Sequence, residues 1–543
     1  MKRAIACVLM YAMVISVAAG GNRSAASVKG KLNKKKVTIA IGKNVQLKVK
    51  EKGSARVYWS SSKKKVARVS SSGKVRGYKK GKTVVTAKVK RKGRTKRLKC
   101  KVTVVKGAKS VLLTNKNGKR VKSLTLNKYD SVRLFAKMTP RSSNDKATWK
   151  SSNNDVVTVK NGVVTGQYVG KATIRATTYS GKKVKVKVAV KAPTLKNTLK
   201  DTYKADFKIG VAANTWQMEG AGAYAKAKEL ISEQFNSITM ENQMKPHVLL
   251  SSDNVEKGKD TDVLINEANL EQVLRLASDN GLKLRGHTLI WHNQTPEWFF
   301  HKGYDVNQEY VTKDVMRLRM ESYIKKVLTY CQTHYPGLVY AWDVANEVVT
   351  DEGDYRTKSN WYRVYGDESY ITDAFTFARR YADKDVKLFL NDYNEYNTDK
   401  RDKLYHVLKN LYEAGICDGM GMQSHYLLDY PTLATVKVAI QKYNQIDPGK
   451  IEIQLTELDI HTPNTAVATQ KKLADKYEML FRMLTDCKRN QKINITGVTF
   501  WGLTDADTWL TDFKGEASYP ALFGGDYAAK PSYFAVLNAM KPE

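Results

Sequence analysis

Glu347 and Glu457 are the residues of this 543-residue chain best placed to do chemistry. Each sits where an apolar run turns polar: Trp342-Asp343-Val344-Ala345-Asn346-Glu347 and Thr456-Glu457-Leu458-Asp459. A lone glutamate in such a place is usually a structural ion-pair partner. Two of them, with an amide just before the first, ask for another reading. Opposed carboxylates are what glycoside hydrolysis needs: one protonates the leaving oxygen, and the other supplies or stabilises negative charge at the anomeric carbon. Other runs end in Glu241, Asn242 and Lys245, in His287 and Trp291, in Gln423 and His425, and in Trp501, with Trp509 beyond. Indole faces give sugars apolar platforms. Amides, imidazoles and an ammonium can hydrogen-bond hydroxyls. The bland alternatives are rim packing for Trp501 and a buried, hydrogen-bonded histidine at position 287. The histidines show no HExxH or other ligand spacing, so neither a metal nor a cofactor is expected.

These residues need a scaffold that brings many strand ends to one place. After Ala192-Pro193, apolar strands alternate with amphipathic helical stretches. Eight strands are expected, around Ile209, Ile238, Leu284, Trp342, Leu388, Met422, Ile453 and Val498. Helical stretches separate them, among them Glu271 to Asn280, Val315 to Tyr330 and Lys471 to Met483. Such units in residues 201–543 predict a (β/α)8 barrel, whose chemistry lies at the C-terminal ends of its strands.

The ordered motifs make this region similar to glycoside hydrolase family 10, the endo-β-1,4-xylanases. They are Phe207-Lys208-Ile209-Gly210, Gly286-His287-Thr288-Leu289-Ile290-Trp291-His292, the strand ending in Asn346-Glu347, Asn391-Asp392-Tyr393-Asn394, Gly421-Met422-Gln423-Ser424-His425, Thr456-Glu457-Leu458-Asp459-Ile460 and Phe500-Trp501-Gly502. The resemblance implies a retaining enzyme acting on xylan and xylo-oligosaccharides. Glu347 would be the acid/base, aided by Asn346, and Glu457 the nucleophile. His425, backed by Asp459, would orient Glu457 and keep it ionised. Glu241, Asn242, Lys245, His287, Trp291, Gln294 and Gln423 would bind substrate, with Trp501 and Trp509 stacking on it or covering it. A retaining pair stands ~5–5.5 Å apart. The chain departs from the family at Ala345, where Val is common, and in Leu522-Phe523-Gly524-Gly525-Asp526, which lacks the usual Asp after Phe.

The remainder of the chain is different. Residues 1–200 carry 53 Lys and Arg against 4 Asp and Glu, a balance of +49; the rest carries 40 against 48, a balance of −8. The whole-chain charge of +41 is therefore a property of the N-terminal arm. Val57-Tyr58-Trp59-Ser60 corresponds to Ala147-Thr148-Trp149-Lys150, Gly73-Lys74-Val75 to Gly162-Val163-Val164, and Gly81-Lys82-Thr83 to Gly170-Lys171-Ala172. One order at a near-constant offset marks a duplicated unit. Alternation such as Val184-Lys185-Val186-Lys187-Val188 puts valines on one face and lysines on the other, the pattern of a half-buried strand. Trp59 and Trp149 are expected in the cores. The repeats resemble bacterial immunoglobulin-like domains.

The whole reads as a multidomain chain, two all-β immunoglobulin-like sandwiches (27–106 and 107–192), a linker (193–200) and the α/β (β/α)8 TIM barrel (201–543). Two readings of the basic arm stay open: a solvated strand face, or attachment through residues 27–192 to an anionic cell-wall polymer or acidic polysaccharide. Lysine dominates and aromatics are few, so nucleic acid is not an expected partner. Residues 1–26 read as an export signal, with a charged Met1-Lys2-Arg3, an uncharged Ala4–Ala19 and small residues after it; cleavage is expected after Ala19, or later at Ala26. The protein would then be secreted or held at the cell surface. The uncharged segment is short of the ~20 residues that span a bilayer, so an integral membrane protein is not expected. Cys100, Cys331, Cys417 and Cys487 have no CxxC spacing, and Cys417 reads as a small buried hydrophobe.

Overall fold

A computed structural model describes residues 29–257 and 259–540. The expected export signal lies outside them. The chain divides into two compact units: the first runs to residue 190, save 127–129, and the second takes those residues and everything from 191 onward.

The first unit holds both repeats, each with a four-stranded and a three-stranded sheet and a two-stranded one, which pairs Lys31–Leu32 with Val49–Lys50 in the first and Ser110–Thr114 with Phe135–Thr139 in the second. In the first repeat a four-stranded sheet orders Lys36–Ala40, Arg94–Val105, Gly81–Arg91 and Arg56–Ser61, and a three-stranded sheet orders Asn44–Gln46, Lys74–Gly77 and Ala67–Val69. The second repeat has the same order: Ser123–Asn127, Lys183–Lys191, Gly170–Thr178 and Ala147–Ser151, then Ser131–Arg133, Val163–Gly166 and Val157–Lys160. Inward valines, isoleucines and leucines fill each core, and Val186, Val188 and Val190 are buried while Lys183, Lys185, Lys187 and Lys191 of the same strand are exposed.

Trp59 and Trp149 are half-buried rather than central, each packed at the margin of its core. The reason lies in the repeated glycines. Gly73 and Gly162 both take φ +85°, and a Cβ there would meet the indole of Trp59 at 2.9 Å or of Trp149 at 3.1 Å. Each indole caps a turn that only glycine can make.

The second unit is a closed parallel barrel. Its strands are β1 (Lys208–Ala213), β2 (Ser237–Met240), β3 (Lys283–Trp291), β4 (Val339–Asn346), β5 (Lys387–Asp392), β6 (Gly419–Met422), β7 (Glu452–His461) and β8 (Ile495–Phe500). Each pairs with its sequence neighbours, and β8 pairs with β1 to close the ring. All eight expected strands are present; helices Lys313–His334 and Val467–Arg489 contain the expected stretches, and helix Glu267–Asp279 covers Glu271 to Asn280 except for Asn280, which caps its C-terminal end. The strands are nearly continuous apolar runs because helices cover them outside and side chains fill them inside. The helix Leu199–Tyr203 begins within the expected linker: Thr198 caps it by accepting from Asp201 N (3.2 Å), and Leu199 and Tyr203 are buried. The last loop turns without the family's aspartate, through Tyr527 N donating to Gly524 O (2.8 Å). The cysteines within the described residues are buried free thiols; Cys417 Sγ lies 3.3 Å from Leu388 O. Among the described residues no helix is long and apolar enough to cross a membrane.

Candidate active site

The C-terminal strand ends open into a cleft of about 830 Å³. Every residue singled out from the sequence lines it: Glu347, Glu457, Asn346, His425, Asp459, Glu241, Asn242, Lys245, His287, Trp291, Gln294, Gln423, Trp501 and Trp509. Register shifts fall at this end of the barrel, between His287 and Ile290, Asp343 and Ala345, and Leu455 and Leu458. Such irregularities re-aim side chains.

Glu457 is almost wholly buried near the middle of β7. Asn391 Nδ2 donates to its Oε1 at 2.8 Å, His425 Nε2 lies 3.4 Å from Oε2, and His287 Nδ1 stands 4.0 Å from Oε1. Burial raises its pKa, but the two imidazoles and the Asn391 amide outweigh burial and bring it down to about 2. His425 is in turn held by charge. Asp459 Oδ1 is 3.0 Å from its Nδ1. Against the cost of burial, Asp459 and Glu457 push its pKa up to about 10. Trp509 Nε1 donates to the other Asp459 oxygen at 2.9 Å. The result is an ordered row of Glu457, His425, Asp459 and Trp509.

Glu347 follows β4 directly and takes φ +56°, a left-handed conformation uncommon outside glycine. The turn is secured on both sides: its N–H donates to Asn391 O (2.9 Å), and Arg356 Nε donates to its carbonyl (2.8 Å). Its carboxylate accepts from Gln423 Nε2 (3.1 Å) and Asn346 Nδ2 (3.3 Å). Burial, then the charge of Asp392, raise its pKa against the Gln423 amide, and Glu457 adds to the rise. His292 Nδ1 is 3.9 Å away, and burial lowers that imidazole to about 4. The two glutamates thus have opposite protonation tendencies in one cleft.

An amide links them. Asn391 Nδ2 donates both to Glu457 and to Asn346 Oδ1 (2.8 Å), while its Oδ1 accepts from Thr456 Oγ1 (2.6 Å). Asn391 was visible in the sequence only as part of a strand-end pair. Its neighbour on β6 must be glycine, since a Cβ on Gly421 would fall 2.4 Å from the Asn391 amide oxygen. Three further groups carry no signal in the sequence that assigns them a role, although Asp343 and Tyr393 stand in recognisable motifs. Asn214, after β1, donates to Glu241 Oε2 at 2.8 Å. Asp343, inside the barrel, pairs with Arg285 and accepts the contact of His287 Nδ1 at 2.9 Å, which fixes that ring. Tyr393, Tyr396 and Tyr430, on loops, line the far part of the cleft with the exposed Phe513.

Lys245 lies 5.1 Å from the Trp291 ring centroid. Burial lowers its pKa, while Glu457, Glu241 and Glu347 act in the opposite sense. Trp501 is buried and edge-on to His287 (5.4 Å between centroids) and His425 (6.4 Å). Acid, amide, imidazole and indole therefore meet at one floor, with a protonatable carboxyl on one side and an ionised carboxylate on the other.

Residues 198–539 match glycosyl hydrolase family 10, and residues 28–111 and 118–188 match the bacterial Ig-like domain (group 2). The chain is 42% identical over 337 residues to endo-1,4-beta-xylanase B of Butyrivibrio fibrisolvens, covering 61% of this chain and 52% of that protein. It is 39% identical over 352 residues to endo-1,4-beta-xylanase Y of Acetivibrio thermocellus, covering 61% and 31%. The match thus spans about half or less of the length of these relatives. Among solved structures, the CBM22-1–GH10 modules of a Clostridium thermocellum endo-1,4-beta-D-xylanase, complexed with xylohexaose, give a TM-score of 0.57 at 30% identity over 83% of this chain and 77% of that one. An intracellular xylanase from Thermoanaerobacterium saccharolyticum gives 0.55 at 33% identity, over 63% and 99%.

Proposed function

The chain belongs to glycosyl hydrolase family 10, and from that premise we propose that it is an endo-1,4-β-xylanase that cuts internal xylosidic bonds with retention of configuration. The observation that carries the reading is the opposed electrostatics of two glutamates in one cleft: Glu457 is held ionised, with a pKa of about 2, and Glu347 is pushed up by burial and by Asp392.

The steps follow. Glu457 attacks the anomeric carbon as Glu347 gives its proton to the departing oxygen, and a glycosyl ester forms on Glu457. Esterification removes the Glu457 charge, one of the contributions raising the Glu347 pKa. The Glu347 pKa then falls, so that Glu347, having given up its proton, stays ionised; it takes a proton from the incoming water as the water oxygen bonds to the anomeric carbon and the ester bond to Glu457 breaks. Asn391 and His425 hold Glu457 in place, and Trp501 closes the floor in the manner that suits a pentose lacking a hydroxymethyl group. The test compares initial rates on soluble xylan and on soluble cellulose. A marked preference for xylan is expected, and equal rates would replace this substrate assignment with a broader β-1,4-glycanase.

Export belongs to the same proposal. It rests on the pattern of residues 1–26, and N-terminal sequencing of protein from the culture medium should begin after Ala19 or Ala26.

A further inference from the structure

The first β-sandwich presents a charged face that its own fold does not use. One side of the four-stranded sheet is buried against the core. Register identifies the other side. Tyr58 faces Lys88, Lys88 faces Arg97, and Lys99 and Lys101 follow Arg97 at alternate positions, with Lys36 beside Lys101. Alternate residues on a strand share a face. Lys36, Lys88, Lys90, Arg97, Lys99 and Lys101 therefore stand together, with strands ~4.8 Å apart and successive outward residues ~6.7 Å apart. The one carboxylate in residues 29–106 is Glu51, which pairs with Lys31 at 3.6 Å. Among the described residues no ion pair reaches these six.

Edge protection does not account for the arrangement. Lysines guard sheet edges, yet most of these occupy Gly81–Arg91 and Arg94–Val105, the two central strands. Like charges directly opposite, such as Lys88 and Arg97, weaken a sheet. Among them lies Tyr58, 51% exposed, with Lys90 Nζ 5.7 Å from its ring centroid. The matching position in the second repeat is Thr148, so the second basic face lacks the ring.

We propose that this face of the first domain binds a carboxylated polysaccharide, namely xylan bearing uronic acid substituents. The lysines and Arg97 pair with the carboxylates, and Tyr58 receives the apolar face of a sugar. Only the choice of xylan as the backbone rests on the function proposed for the barrel. A single ring on an open sheet does not suit nucleic acid, which is held by rows of aromatics in a basic groove. A polyol phosphate offers no sugar face for Tyr58.

The test uses the full chain carrying Glu457→Gln, so that polymer survives, in affinity electrophoresis through uronic-acid-substituted xylan and through the same xylan after carboxyl reduction, over a salt series. Binding should fall about tenfold or more on carboxyl reduction, and likewise in a Lys88→Gln/Lys99→Gln/Lys101→Gln variant; it should weaken as salt rises and weaken partly in Tyr58→Ala. A Lys150→Gln/Lys185→Gln/Lys187→Gln variant of the second domain should still bind. Equal retention on the reduced polymer overturns the proposal, as does equal retention of the first-domain variant or tighter binding to duplex DNA or a polyol phosphate. Hydrolysis of short neutral xylo-oligosaccharides by the unaltered chain, run in parallel, tests the barrel separately. Binding without hydrolysis would leave this face standing and remove the proposed function.

Discussion

The residue after β4 and a residue near the middle of β7 carry the same side chain in opposite settings. Around Glu457 are two imidazoles and an amide donor; around Glu347 are amides, a neutral imidazole and the nearby charge of Asp392. Burial acts on both in the same direction, so burial does not separate their roles. What separates them is which partners point at each carboxylate. The difference teaches that one residue type can be given opposite protonation tendencies by its partners: two imidazoles and an amide lower the pKa of Glu457, while Glu347 has the charge of Asp392 and a neutral imidazole beside it.

The strongest way to break that contrast is Glu457→Gln. Hydrolysis of xylan should drop on the order of 10⁴-fold or more, with an unchanged circular dichroism spectrum. Glu347→Gln should cost about 10² to 10⁴ on xylan. With an aryl xyloside whose leaving group needs no proton, bond cleavage should be largely spared and release of the glycosyl-enzyme should become slow. Equal losses on both substrates would mean that Glu347 is not the proton donor. Removing the imidazole sharpens the contrast. Because His287 and His425, with the Asn391 amide, together hold the Glu457 pKa down at about 2, His425→Ala should shift the acidic limb of the kcat/KM profile upward, part of the way toward ordinary carboxylate values, with activity near neutrality down about tenfold. Asn391→Ala removes a donor to a charged group and should cost about 1.5–3 kcal/mol of transition-state stabilisation, seen as a lower kcat with little change in KM.

These partners also show what a sequence can disclose. The eight strands were legible because each is an apolar run that stops at polar residues, and both glutamates were legible because they stand at those stops. Asn391 stands in a motif that assigns it no role, because its function depends on three contacts to residues far off in the chain. Asn214 and the loop tyrosines stand in segments with no period. Asp343 lies within a buried strand, where its pairing with Arg285 and His287 leaves no local trace. The half-burial of Trp59 and Trp149 depended on turn glycines whose repeat was visible but whose contact with the indoles was not.

The smallest expected effect on rate belongs to a further glutamate, Glu395, outside the lining of the cleft. Glu395 is fully buried, neither of its carboxylate oxygens has a hydrogen-bond partner among the described residues, and burial raises its pKa to about 7. A carboxyl raised in this way binds its proton more tightly in the folded state than in the unfolded one. Stability should therefore fall as pH rises from about 4.5 to about 7, by about 3 kcal/mol. Glu395→Gln should remove that slope in denaturant unfolding while leaving kcat nearly unchanged. A slope that survives in the variant would show that Glu395 does not titrate in this range.

The central claim is that Glu457 forms a covalent bond with the sugar and Glu347 manages the proton in both steps. The most direct measurement is proton NMR of the first products released from a xylo-oligosaccharide, read before mutarotation. The β-anomer should appear first and the α-anomer only later. An α-anomer at the earliest times would contradict the account.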